Sequence, residues 1–360
     1  MSLQQAFDPR RNSLDFLRFA LAACVLITHS FDLAGAGHDP LTRATGSQES
    51  FAHLAVGGFF ALSGFLIARS HASTPSLWRY LWRRALRILP GFWVCLIITI
   101  AFFAPAIYWI ENRTLDGFLR MPGPSLIGYL LNNISTRMDQ HTIGTLLKTA
   151  PLTNAINGSL WTLYNELRCY GIVAVLGLLG ATRNRRWLFP TLLAALYALN
   201  LFYAAQGEVS TMELPLLRAT FVWQLCYFFG GATLWAYADR VPTRAPVFVM
   251  IDAVVLVSWI FGAFYRLFDV LAWPYLLMWL GAKLPITRWA RFGDFSYGMY
   301  IYAFPLQQIL VILGVGAFGI GALIAASFVA TMLFAIPSFH LVEAPAMRFK
   351  DAFARARPCR

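Results

Sequence analysis

The chain has 360 residues, 58% of them hydrophobic and only 13% charged, about half the ~25% charged share of an ordinary soluble domain. No soluble fold of this length hides so much apolar surface, so the composition predicts an all-α, polytopic membrane helical bundle. The net charge of +12 would suggest nucleic acid in a soluble chain, but concentration of Lys and Arg in cytoplasmic loops accounts for it, and no nucleic-acid partner is expected.

Ten apolar segments follow in chain order, near 14–34, 51–69, 86–110, 161–181, 187–205, 216–238, 246–264, 267–281, 295–315 and 317–342. Each approaches the roughly 20 residues needed to cross a hydrocarbon core; the eighth is short and broken by Pro274. If the N-terminus is cytoplasmic, inner segments hold twenty of the 29 Lys and Arg residues and outer segments seven, while Arg18 and Arg168 fall inside spans. That bias predicts about ten transmembrane helices with N- and C-termini cytoplasmic. The five cysteines contain no C-x-x-C and the six histidines no H-x-x-x-H, so neither a disulfide framework nor a metal site is expected. A cleavable signal peptide is not expected either, because Asp15 and Arg18 interrupt the first apolar stretch.

The first span, LDFLRFALAACVLITHSFDLA, carries Arg18 and, eleven residues later, His29. Eleven residues of helix turn through about 1,100° and rise about 16 Å, which puts both side chains on one stripe, one toward each side of the membrane. Ionisable groups are costly in a bilayer, so an aligned pair reads as functional. The structural alternative makes Arg18 an anchor paired with Asp15 and His29 a satisfied interior histidine. In the second span, Gly57, Gly58 and Gly64 permit close helix packing, and Ser63 is a candidate substrate contact. WRRALRILP opens the third span with Arg84 and Arg87 on one helical face and Arg83 beside them. Such a guanidinium cluster suits phosphate or pyrophosphate, although arginines at a cytoplasmic boundary are expected in any case. Pro90 can kink this helix and free backbone groups.

The stretch 111–160 is the longest without a span, and it is assigned to the outer side. Within it, LIGYLLNNI (126–134) is apolar enough to lie on the membrane surface. The chain re-enters through NGSLWTLYNELRCY, where Glu166 stands five residues below Trp161, about 7 Å down. That is close to the depth of His29, and a carboxylate commonly orients a histidine base. Trp161 and Tyr164 serve equally as interface anchors or substrate contacts, and Arg168 lies on another face of the helix. In the last span, His340 and Glu343 are i,i+3, with capping or ion pairing the default reading of Glu343.

Taken in order, these elements resemble the acyltransferase-3 family of integral membrane O-acyltransferases that modify extracytoplasmic carbohydrates in bacteria. RNSLDFLRFALAACVLITH looks like the family's Arg-x10-His element, carried by Arg18 and His29. GGFFALSGFLIARS is similar to its second-span signature, and RRALRILP to its R-x-x-R-x-x-P. NGSLWTLYNELRCY resembles the re-entry motif, FSYGMYIYAFPLQQ a late-span Ser-Tyr-x-x-Tyr element, and LVEAPAMR the closing Glu-x-Pro. One departure is Ala303, where many members have a histidine, so no role of that histidine is carried over.

The resemblance implies a single membrane-embedded domain over 1–360, with its motifs between about 10 and 345, in the inner (cytoplasmic) membrane. It also implies transfer of an acyl group, most simply acetyl from cytoplasmic acetyl-CoA, to a hydroxyl of a carbohydrate acceptor, lipid-linked or free. O-antigen, exopolysaccharide and related glycans all fit as acceptor. On this reading Arg83, Arg84 and Arg87 bind the coenzyme phosphates and Arg18 lines the path of the pantetheine arm. His29, oriented by Glu166 or a neighbour, acts as general base or briefly carries the acyl group. Ser63, Ser159, Trp161, Tyr164 and Arg168 are the candidate acceptor contacts. The competing class is a proton-coupled transporter or flippase of a carbohydrate or organic anion, which buried Arg, His and Glu would also suit.

Overall fold

The computed structural model describes residues 1–74, 76–206, 217–261 and 265–352. The tail positions Arg355, Arg357, Cys359 and Arg360, and residues 216 and 262–264 of the expected sixth and seventh segments, lie outside them. Each of the ten apolar segments carries a helix. In chain order these are α1 (Leu14–Ala34), α2 (Phe51–Ser73), α3 (Leu77–Ile98), α4 (Trp161–Leu178) and α5 (Leu188–Gln206), then α6 (Ala219–Ala236), α7 (Ala245–Phe261), α8 (Tyr265–Lys283), α9 (Ser296–Ile312) and α10 (Ile320–Ser338). Among the described residues, five helical lengths are long and apolar enough to cross a membrane: Leu14–Ala34, Phe51–Ser73, Leu77–Asn112, Leu188–Ala205 and Ile320–Asp351. The helix α3 starts nine residues ahead of its expected segment, so the arginine cluster lies within the helix. It runs on through a π-helical turn, Thr99–Phe103, into Ala104–Asn112.

The chain divides into two compact units. The first comprises Met1–Leu21, Pro40–Tyr80 and Arg168–Gly293; the second comprises Ala22–Asp39, Leu81–Leu167 and the chain from Asp294 onward.

In the first unit, α2 and α6 meet backbone to backbone. A Cβ built on Gly64 would stand 1.8 Å from the Phe228 carbonyl oxygen, and one on Gly231 would stand 1.9 Å from that of Ala61. Only a residue without a side chain fits at either position. Gly57 likewise makes room for the Tyr227 ring, 2.9 Å from its would-be Cβ. The small residues of the second span are therefore packing residues, as helical spacing suggested. Two polar pairs lie in this unit: the Tyr227 hydroxyl donates to the buried Asp269 carboxylate, and His53 Nδ1 pairs with the buried Glu49 at 2.7 Å.

In the second unit, α9 packs along α10 and against Ala104–Asn112. Its core joins Phe103, Ile107 and Tyr302 to Tyr129, Leu147, Ile156 and Leu160. The 111–160 stretch is thus folded onto this core. Glu111 accepts hydrogen bonds from the backbone of Leu147 (3.2 Å) and Thr149 (2.9 Å). Asn133 both donates to Gln140 O at 2.7 Å and accepts from Gln140 N at 3.0 Å. Within it, the helix Leu126–Asn133 is capped by Ser125, buries Tyr129, and exposes Ile127 and Leu131.

Overpacking a core costs about 1–3 kcal/mol, and here the obstacle is backbone that cannot rotate away. Gly64→Val and Gly231→Val should each lower the thermal unfolding midpoint in detergent by several degrees. Gly321→Ala, where the added Cβ meets nothing within 4 Å, should leave the midpoint unchanged.

Candidate active site

The second unit holds His29, Ser159, Trp161, Tyr164, Glu166, Arg83, Arg84 and Arg87. The first holds Arg18, Ser63 and Arg168. His29 sits near the end of α1, on a turn clamped from α9. Gln307, fully buried, donates to the Leu26 carbonyl (2.8 Å) and to Ser30 Oγ (2.7 Å), and Ser30 in turn donates to Leu26 O (2.9 Å). A buried amide with this choice of partners holds the helix in one rotation, because turning it would strand polar groups in an apolar core.

The segment before α4 supplies the partner of the imidazole. Asn157 Nδ2 donates to the Ile301 carbonyl at 2.8 Å, and the Ser159 amide donates to Asn157 Oδ1 at 3.2 Å. Between them, Gly158 makes room for the Phe304 ring, which would lie 2.7 Å from a Cβ there. Phe304 turns its edge toward the His29 ring, 5.1 Å between centroids at 80°. The outcome is that Ser159 Oγ stands 3.5 Å from His29 Nδ1, at the long limit of a hydrogen bond. Ser159, a candidate acceptor contact, thus lies beside the histidine. Glu166 is half-buried on α4, and the Tyr300 hydroxyl of α9 is 2.6 Å from Thr162 Oγ1 on the first turn of α4. Trp161 and Tyr164 are both exposed, the placement required of either an interface anchor or an acceptor contact.

The arginines of α3 meet acidic side chains from the far end of the chain. Arg87 forms an ion pair with Asp294, and Arg83 pairs with Asp351 at 2.7 Å. Ser296 donates to Asp294 as well, and the Tyr297 hydroxyl donates to the Ile88 carbonyl at 2.7 Å, two residues before Pro90. Gly91 admits the Tyr297 ring, 2.7 Å from its would-be Cβ. Nearby, Glu343 is buried in a second π-helical turn, Phe339–Glu343, and accepts from Ser338 Oγ at 2.9 Å. In the first unit, Arg18 pairs with Asp15 at 3.5 Å, Ser63 is half-buried on α2, and the Arg168 guanidinium lies 3.6 Å over the Phe221 ring.

Residues that the sequence did not single out are Asn157, Phe304, Gln307, Asp294 and Asp351. For Asn157 the signal was its place two residues before Ser159 in the re-entry motif. For Asp294 it was its place directly ahead of FSYGMY. Among the described residues, no group of three His, Cys, Asp or Glu side chains is placed to hold a metal ion. Among the described residues, Cys24, Cys95, Cys169 and Cys226 form no disulfide.

A multi-pass helical membrane protein with a histidine held between a serine and an aromatic edge is the class defined by this fold and site. The chain belongs to the acyltransferase-3 family: the family model described as an acyltransferase domain matches residues 11–340. It is an enzyme that transfers acyl groups, which decides against the transporter class. The chain is 29% identical over 315 residues to the O-acetyl transferase of Shigella phage Sf6, covering 84% of this chain and 86% of that protein. It is 24% identical to Nodulation protein 10 of Rhizobium leguminosarum bv. viciae, over 96% of each chain. No solved structure matches it significantly.

If Ser159 positions the imidazole, Ser159→Ala should reduce the rate constant of acyl transfer by about fivefold. That is the kinetic equivalent of one neutral hydrogen bond, ~1 kcal/mol, with KM for the acyl donor unchanged. Steady-state kinetics on the purified variant reads the split directly, and a rise in donor KM at constant kcat would contradict this role.

Proposed function

We propose that the protein is a membrane O-acetyltransferase. It would move acetyl from cytoplasmic acetyl-CoA to a hydroxyl of an extracytoplasmic carbohydrate, in one domain of about ten transmembrane helices with both termini in the cytoplasm. The observation that carries the reading is the His29–Ser159 contact at 3.5 Å in a chain of this family. With Nδ1–H donating to Ser159 Oγ, Nε2 would be the nitrogen able to take a proton. In the reaction, Nε2 removes the proton of the acceptor hydroxyl as its oxygen attacks the thioester carbonyl. The carbon–sulfur bond breaks, and the thiolate of coenzyme A leaves with the proton returned by the imidazolium. Glu166 would stabilise the cation that forms at His29. Trp161 and Tyr164 would offer the flat apolar faces against which sugar rings pack.

For the donor, Arg83, Arg84 and Arg87 supply a basic face on one turn and a half of α3. An arginine carries five N–H donors, so a guanidinium already fixed by Asp294 or Asp351 presents a directed fork to a phosphate rather than a mobile charge. Arg18, three turns ahead of His29 on α1, would neutralise the donor further along. The inner-loop arginine bias and the ten helices on ten apolar segments support the ten-span topology.

Purified protein in nanodiscs with radiolabelled acetyl-CoA tests the assignment. Wild type should hydrolyse the thioester slowly and transfer acetyl when a glycan acceptor is present, and His29→Ala should lose both while remaining folded. Arg84→Ala/Arg87→Ala should raise donor KM at least tenfold, since each charge-assisted bond is worth about 1.5–3 kcal/mol. Full transfer by a well-folded His29→Ala protein would overturn the mechanism.

A further inference from the structure

A basic concavity lies in the first unit, and none of the residues given a catalytic or donor role above lines it. It is built from four stretches of chain: the N-terminal segment, the last turns of α2, the 180–187 turn, and the end of α6. The N-terminal segment is pinned in place as one wall. Leu3 N donates to Val241 O (2.8 Å), Gln4 N to Ala238 O (2.9 Å), and Thr243 N to Met1 O (3.1 Å). Ser2 and Gln5 close a capping box on the short helix Leu3–Ala6. Two adjoining pockets result, of about 370 Å³ and about 290 Å³, which share Arg186 and Asp239. The first is bounded by Phe7, Phe65, Trp235 and Arg69, the second by Arg183, Trp187, Tyr237 and Arg240.

Four arginines from three stretches of chain therefore line the two adjoining pockets, beside a single lining carboxylate. They are arranged over aromatic walls. Arg69 lies 5.7 Å over the Phe7 ring and Arg240 lies 5.6 Å over Tyr237. Arg186 Nη1 reaches the Ala236 carbonyl at 3.4 Å. The lining acid is weakly engaged, since Arg240 meets Asp239 at 3.9 Å with both side chains at least half exposed. Arginines scattered through a cytoplasmic loop need no ligand to explain them. Convergence around a walled pocket of ligand size is a different arrangement, because it brings like charges together at an electrostatic cost that an anion relieves. Guanidinium forks match the oxygens of a phosphate, and the aromatic wall supplies apolar surface beside them. Arg69 stands in the last turns of α2, a helix long and apolar enough to cross a membrane, and the end of such a helix is where headgroups would lie.

We propose that this cleft binds the phosphate of an anionic ligand, the phosphodiester headgroup of an anionic phospholipid being the source its level in the membrane favours. A free nucleotide phosphate shares the chemistry, and the test separates the two.

Native mass spectrometry of the full-length protein in detergent would follow titration with phosphatidylglycerol, phosphatidylcholine and adenosine 3′,5′-bisphosphate. Wild type, Arg69→Gln/Arg186→Gln and Arg183→Gln/Arg240→Gln would be compared. The second pair is a surface change that keeps the test open if the first variant folds poorly. Wild type should retain phosphatidylglycerol at least tenfold more tightly than phosphatidylcholine, and both variants should lose that preference. Preferential binding of the bisphosphate, lost in the same variants, would uphold the phosphate site and assign it to a soluble ligand. Equal retention of all three probes by wild type and both variants would overturn the proposal. Because Arg69, Arg183, Arg186 and Arg240 have no part in the transfer site, acetyl transfer by the variants in nanodiscs distinguishes failure here from failure of the catalytic reading.

Discussion

In helices this apolar, a polar side chain that leaves water has to be satisfied inside the protein, and that requirement organises both units. Lipid offers no hydrogen bonds, so each buried amide, hydroxyl or carboxylate carries a penalty of several kcal/mol until a partner is found. In the second unit, Gln307 spans from α9 to the Leu26 carbonyl and Ser30, and Asn157 ties the start of α4 to Ile301. In the first, Tyr227 meets Asp269 and His53 meets Glu49. Each pair fixes a rotation as well as a position, since apolar contacts alone tolerate sliding whereas a buried hydrogen bond does not.

His29 inherits its geometry from these pairs. Gln307 holds the turn of α1 that carries it, Asn157 holds the loop that carries Ser159, and Gly158 admits the Phe304 edge between them. The imidazole is thus placed by residues that need not react, which is how a general base is kept within reach of a proton. Its polar partner is a hydroxyl and not a carboxylate. A neutral partner can hydrogen-bond the ring without installing a fixed negative charge beside it.

The arginine face of α3 obeys the same rule at the other end of the second unit. Asp294 and Asp351 join Arg87 and Arg83 across 207 and 268 residues of chain. Ion pairs of this kind do little for stability where they are exposed, but they keep guanidinium groups directed. An incoming phosphate then meets ordered donors in competition with single carboxylates.

Much of this was legible in the chain. Apolar length placed all ten helices, because transfer free energy is summed locally along the sequence. The small residues of the second span were legible as packing residues for the same local reason. Helical periodicity put Arg84 and Arg87 on one face, and the order of short motifs from Arg18–His29 to LVEAP pointed to the family. Pairings between helices were not legible. Equal depth in the membrane suggested Glu166 as the partner of His29, yet depth is one coordinate only, and the rotation of each helix decides the contact. Tertiary packing set Ser159 beside His29, paired Arg87 with Asp294, and lined adjoining pockets with four arginines. Distances along one helix follow from its rise and turn, whereas distances between helices follow from side-chain packing spread over the whole chain.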